Sequence, residues 1–161
     1  MSRARLSSEG MTNASPRPPW WLKPMNKVLM AVTRVGIPIF GDEGPVILTV
    51  PGRTSGKPRS TPITPMTVDG HRYVVSGFPG SDWERNARAA DSATLRTRRR
   101  SETVRMVELD AAQARPLLRR FPELVPSGVE FMTRSGLVTE GTPDEFEALA
   151  GRCAVFRFDP V

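Results

Sequence analysis

The sequence predicts an α+β domain: a small, mostly antiparallel barrel of about six strands with peripheral helices. Three observations predict it. Short runs rich in Val, Ile, Thr and aromatic residues recur along the chain, and such runs read as strands. They are joined by turn residues and not by helical crossovers, which argues against βαβ units. The helical signals are few and short, and each has its own start signal. At 161 residues the chain has the length of one domain with a real core, expected over residues 20–161.

Residues 1–19 mix Ser, Arg, Asn, Gly and Pro without periodicity and read as a disordered basic tail. They lack the central apolar run of a secretory signal, so a cytoplasmic location is expected. Trp20-Trp21 leads into a helix. Pro24 suits its first position and Gly36 its stop. Met25, Val28, Leu29, Val32 and Val35 share one face, the pattern of a helix packed on a core. With tryptophans beside lysines, the same helix also reads as a peripheral membrane contact.

Val46–Val50 is a strand-length apolar run, and a second extended run follows up to Val68. Asp69-Gly70 between β-prone runs is a two-residue hairpin turn. His71, the only histidine, falls just past that turn and reads as a solvated residue. No Asp, Ser or Cys pattern around it forms a triad. The Ser81 hydroxyl or the Asp82 carboxylate can cap a short helix from Trp83 to Ala90. Thr94–Arg98 and Thr103–Leu109 read as a hairpin around Arg99-Arg100-Ser101-Glu102. No aromatic residues interleave with these arginines, so the turn reads as a solvated end and not as a nucleic-acid contact. Asp110-Ala111-Ala112-Gln113 opens a helix towards Phe121, disturbed at Pro116. Residues 122–141 read as an irregular connection with one helical turn around Phe131. Thr142-Pro143-Asp144-Glu145 starts a helix, and Val155–Phe158 closes the sheet.

Charge is placed unevenly. The net +6 lies wholly within residues 1–80, where ten cations face four acids. An anionic partner is implied: a phosphorylated coenzyme, a nucleic acid or a membrane surface. The single cysteine, Cys153, excludes an internal disulfide and a cysteine-built metal cluster.

Between the first two strands lie Gly52, Arg53, Thr54, Ser55, Gly56, Lys57 and Arg59. A turn with three cations, two hydroxyls and backbone N–H groups suits a polyanion. It equally suits a solvated basic hairpin loop, and residue chemistry leaves both open. A G-x-x-x-x-G-K-[ST] loop does not fit, because Gly52 and Gly56 are too close and Pro58 follows Lys57. A dinucleotide turn does not fit either, since Pro58 and Pro62 forbid the helix it must open.

The run Leu48 to Ile63 resembles the signature of the deazaflavin-dependent nitroreductase and quinone reductase family. Gly52, Arg53, Ser55, Gly56, Arg59, Pro62 and Ile63 stand in register with it. Asp82-Trp83-Glu84-Arg85-Asn86 resembles that family's W-x-x-N helix start, and Thr142 to Phe158 its closing helix and strand. The resemblance covers roughly residues 22–159 and implies a split β-barrel that binds coenzyme F420. By position it implies that Arg53, Thr54, Ser55, Gly56, Lys57 and Arg59 hold the coenzyme's phosphate and acidic tail. Thr61, Pro62, Ile63 and Thr64 would lie along the deazaflavin, and Val75, Ser76 and Gly77 would border the ring. Trp83 and Asn86 would support the loop. The implied reaction is hydride transfer from reduced deazaflavin to a small electrophile such as a quinone, nitro-compound or activated alkene. Ser76 or solvent would give the proton. The family's tyrosine-bearing acceptor region has no counterpart, since Tyr73 is the only tyrosine. Flavin mononucleotide on the same fold is the alternative coenzyme, and a non-catalytic carrier of an anionic ligand the alternative class. A monomer or a homodimer is expected.

Overall fold

The computed structural model describes residues 46–161. The expected tail over 1–19 and the expected helix from Pro24 to Gly36 lie outside the described residues. Among the described residues seven strands form one sheet: β1 Val46–Pro51, β2 Pro58–Ile63, β3 Met66–Val68, β4 His71–Val75, β5 Ala93–Arg96, β6 Ser101–Glu108 and β7 Val155–Pro160. Every pairing is antiparallel, in the order β2-β1-β5-β6-β7-β4-β3. Among the described residues four helices accompany it: α1 Asp82–Ala89, α2 Ala111–Leu124, α3 Pro126–Arg134 and α4 Pro143–Glu147.

Strands β2 and β3 are the two edges of the sheet, yet only Thr64 and Pro65 separate them. Three Cα steps reach at most about 11 Å. Seven strands laid flat would hold their edges about 29 Å apart. The sheet therefore curls until its edges meet at Thr64-Pro65, which is a barrel split between β2 and β3. The six expected strands become seven at the same place. The extended run was read as continuous up to Val68, but Pro65 offers no N–H to a ladder, and the chain changes edge there.

Alternation sorts the strands onto two cores. Leu48, Val50, Ile63, Val74, Leu95, Val104, Phe156 and Phe158 fill the barrel interior together with Ala87 of α1. Val75 and Val155 point outward. With Met66 and Val68 they meet Leu117, Leu118 and Phe121 of α2, Met132 of α3 and Phe146 of α4. Full burial of one such side chain stabilises by about 1.5–3 kcal/mol.

Asp69 (φ 50°) and Gly70 (φ 79°) form the expected hairpin turn, and His71 is exposed. Helix α2 runs through both Pro116 and Pro122 as far as Leu124, and its capping box of Asp110 and Gln113 is closed. The stretch expected to be irregular, with one helical turn around Phe131, holds the longer helix α3, with Pro126 in its first turn. Gly128 lies inside that helix because Phe121 packs on it: a Cβ there would sit 2.5 Å from the Phe121 ring. Glycine weakened the helical pattern for a packing reason that the sequence alone does not display. Helix α4 starts on the closed box of Thr142 and Glu145. Among the described residues no helix is long and apolar enough to cross a membrane.

Candidate functional site

The upper end of the barrel is where β1 turns into β2, where β4 leaves the sheet, and where α1 begins. The 52–57 turn is closed from within. The Gly52 N–H donates to the Lys57 carbonyl (2.9 Å), and the Gly56 N–H to the Gly52 carbonyl (2.8 Å). The Lys57 N–H donates to Ser55 Oγ (3.3 Å). Gly56 takes φ +68°, the left-handed conformation that glycine adopts without strain. The expected free amides are thus fewer than the sequence suggested. Those of Thr54 and Ser55 have no partner among the described residues.

The three cations of this turn divide. Asn86 of α1 is 5 % exposed, and its Oδ1 accepts from both the backbone N–H (3.1 Å) and Nη1 (3.0 Å) of Arg53. Nη2 of Arg53 donates to Asp82 at 3.2 Å. The Arg53 fork is committed to α1, which leaves it less to give to an anion. Lys57 and Arg59 are exposed, and no side-chain bond or ion pair holds either among the described residues. They are the available cations.

Below the turn, β2 forms one lip of the split. Pro58 and Pro62 have no N–H, so both must occupy positions where the backbone nitrogen faces away from β1. Ser60 shares their parity in the register with β1, so its N–H also faces outward. The free edge therefore offers several carbonyls and one amide donor. The opposite lip belongs to β4. Strand β3 covers β4 only from His71 to Tyr73, which leaves Val74, Val75, Ser76 and Gly77 uncovered on that side. Among the described residues, the 58–63 edge strand and the end of β4 therefore each lack a strand partner on one side. Thr61, Pro62 and Ile63 lie on β2, Thr64 in the link to β3, Val75 at the end of β4, and Ser76 and Gly77 just beyond it.

Ser76 is fully buried, and its hydroxyl donates to the Phe78 carbonyl at 3.0 Å. Its backbone N–H donates to Ala154. Its single proton is already given to the chain, so the placement speaks against Ser76 as a proton donor. It is instead a brace for the loop that leaves β4. Gly77 lies so close to α3 that a Cβ would stand 2.9 Å from the Phe131 ring. Phe131 also meets Phe78 edge-on, with ring centroids 5.2 Å apart. Trp83 faces inward and lies 5.7 Å from Phe156, which anchors α1 in the barrel interior.

Sequence reasoning missed two participants. One is Phe131, hidden in the stretch read as irregular. The other is Glu84, 2 % exposed, whose Oε2 accepts the Gly80 N–H at 3.0 Å and lies 3.5 Å from Arg88. The Ser81-x-x-Glu84 spacing is a capping-box signature, and that signal was available. Cys153 lies in the same region. Burial pushes its thiol up to about 12, so at neutral pH it is an inert core side chain. Among the described residues no cluster of three His, Cys, Asp or Glu could hold a metal ion.

Comparison with known proteins bears on this geometry. Residues 24–135 match the family model of the F420H(2)-dependent quinone reductase. A solved structure described as a domain-swapped dimer superposes with a TM-score of 0.53 at 19% identity, covering 87% of this chain and 97% of that one. An F420-H2 dependent reductase (FDR-A) reaches 0.49 at 18% identity, covering 71% and 93%. PhzG from Burkholderia lata reaches 0.48 at 15% identity, covering 89% and 77%. Of these three, the first exceeds 0.5, and it speaks for the fold alone. No curated protein matches the chain.

Proposed function

This chain belongs to the F420H(2)-dependent quinone reductase family, and from that premise we propose that it reduces a quinone-type acceptor held against the 76–80 loop. It is an F420H2-dependent reductase, and its coenzyme is F420 in place of the flavin mononucleotide alternative. Nitro-compounds and activated alkenes belong to the same proposed acceptor class, as electrophiles that take up a hydride and a proton.

The observation that carries the reading is the split itself. Two cations with no acid partner among the described residues stand above an edge strand and a strand end that lacks a partner on one side, and the proposed coenzyme slot runs between them. The chain's residues fit an elongated phosphodiester coenzyme with an acidic tail. Lys57 and Arg59 are positioned for the anionic groups, with the Thr54 and Ser55 amides beside them. The β2 carbonyls and the Ser60 N–H line the wall along which a planar heterocycle can lie. When bound, the reduced coenzyme supplies a hydride from C5. The chain's part is to bind, to orient and to narrow the slot. Gly77 lets the wall come close to a ring, and Phe131 supports it from behind. Since the Ser76 proton is committed, the proton that completes reduction of the acceptor comes from solvent.

A cytoplasmic location, with peripheral membrane contact through the segment before Val46, belongs to the same proposal. So does a homodimer, on the precedent of the neighbour described as a domain-swapped dimer. Vesicle pelleting tests the membrane contact and light scattering the dimer. The central test is oxidation of reduced coenzyme F420 with a panel of quinones, nitro-aromatics and activated alkenes. Turnover with quinones supports the reading. Coenzyme binding without turnover of any of these acceptors refutes it.

A further inference from the structure

Among the described residues three helices carry the sequence of a capping box, and only two of them close it. Asp110 with Gln113 and Thr142 with Glu145 each exchange both hydrogen bonds. At α1 the pair is Ser81 and Glu84, three residues apart, and neither bond forms. The Ser81 backbone N–H donates to the Phe78 carbonyl instead, while Glu84 Oε2 reaches past Ser81 to the Gly80 N–H. Ser81 Oγ and Glu84 Oε1 are left buried with no hydrogen-bond partner. Unpaired buried oxygens are costly, and closing the box would satisfy at least the serine. The fold forgoes that local gain at the one helix start that meets the slot. Gly80 is the residue so held, at φ +74°, in the loop that runs on from Ser76 and Gly77.

Helix α1 holds both lips of the slot. Asn86 fixes the 52–57 turn through Arg53, and Glu84, two residues earlier, fixes the 77–81 loop through Gly80. We propose that Glu84 is a positioning residue for hydride transfer: its bond to the Gly80 N–H sets the height of the 76–80 wall against the coenzyme ring. Local mismatch of this kind is expected where a site, and not stability, dictates the arrangement. The inference rests on the reading that this loop borders the ring.

The test compares Glu84→Ala, Glu84→Gln and Ser81→Ala in the full chain. Coenzyme F420 binding is followed by fluorescence, turnover with reduced F420 and benzoquinone by absorbance, and melting by calorimetry. Glutamine keeps an oxygen for the Gly80 N–H, and alanine does not. A lost transition-state alignment lowers kcat and leaves binding nearly intact. Glu84→Ala is therefore expected to lose about tenfold in kcat at saturating coenzyme and acceptor, with its Kd for F420 within about threefold of wild type. Glu84→Gln is expected to stay within about twofold in kcat. Ser81→Ala, which deletes an unpaired hydroxyl, is expected to melt no lower than the parent. An unchanged kcat in Glu84→Ala, an equal loss in the glutamine variant, or a loss confined to Kd overturns the proposal. If Glu84→Ala does not fold, a wild-type-like Glu84→Gln together with an undiminished melting point in Ser81→Ala supports it, and a glutamine variant slowed tenfold overturns it. The slot reading fails on a different measurement, unchanged coenzyme affinity in Arg59→Ala, so the two failures are distinguishable.

Discussion

Asn86 Oδ1 accepts two hydrogen bonds from Arg53, one from its backbone N–H at 3.1 Å and one from its guanidinium at 3.0 Å. One buried amide oxygen thus fixes both the start of the 52–57 turn and the direction of its first cation. Removing it leaves the Arg53 N–H without its partner. Asn86→Ala is expected to cost about 1–3 kcal/mol in stability, the range for an orphaned donor, towards the lower end because the Arg53 side chain is partly solvated. Residues in contact do not add, so Asn86→Ala with Arg53→Ala should cost less than the two singles together. Urea titrations of the four proteins check this. Strict additivity would show that the pair is not coupled.

The commitment of Arg53 changes which cations govern coenzyme binding. Arg59 and Lys57 have no competing acid among the described residues, whereas Arg53 must share its charge with Asp82. Arg59→Ala is expected to weaken F420 binding by about 1.5–3 kcal/mol, typical of a charged hydrogen bond. Arg53→Ala should weaken it less. Affinity should fall as salt rises, since the contacts are exposed. Flavin mononucleotide, with a single phosphate and no acidic tail, should bind more weakly at low salt. Calorimetry with both coenzymes at two ionic strengths decides these points, and a larger loss in Arg53→Ala would reverse the ranking.

Gly77 and Phe131 make a prediction about space. An alanine methyl at 77 would meet the Phe131 ring at 2.9 Å, closer than real contacts allow. Overpacking of this kind costs about 1–3 kcal/mol. Gly77→Ala should therefore melt lower and turn over more slowly than the parent. Phe131→Leu in the same chain should recover part of both losses. A Gly77→Ala protein with unaltered melting would mean that α3 yields freely.

The fold was legible where local chemistry decides it. The Asp69-Gly70 turn, the closed boxes at Asp110 and Thr142 and the strand patterns needed no tertiary information. The break at Thr64-Pro65 was not legible, because an extended chain that changes edge keeps the same residue pattern. Helix α3 was read only as one turn around Phe131, because Gly128 is required by Phe121, a contact made only in the packed state. In the site, residue types were legible but their obligations were not. Nothing in the sequence separates the Arg53 that serves Asn86 from the Arg59 that has no partner among the described residues, or shows that the Ser76 hydroxyl is turned to a carbonyl. Glu84 was given no role of its own, although its spacing from Ser81 was informative.

Acid should unfold this protein through four carboxylates whose ionised forms the fold favours. The Arg72 guanidinium holds Glu102 below its ordinary range, and Arg88 does the same for Glu108. Glu145 is lowered by the backbone N–H groups of Thr139, Thr142, Glu140 and Gly141. Asp159 is lowered by its fork with Arg157. A carboxylate depressed on folding contributes stability above its unfolded pKa, and that contribution is lost as pH falls through the folded value. The window opens near the ordinary carboxylate values of about 4 to 4.5 and extends below them. Stability should therefore be insensitive to these groups above about pH 5 and decline steadily beneath it. Glu145→Gln removes one such carboxylate where it gathers a whole loop. It should be less stable than the parent at neutral pH and should lose less on acidification, so the two curves converge as pH falls. Urea midpoints from pH 3 to 7 measure this. Parallel curves would show that Glu145 stays protonated or unpaired in solution.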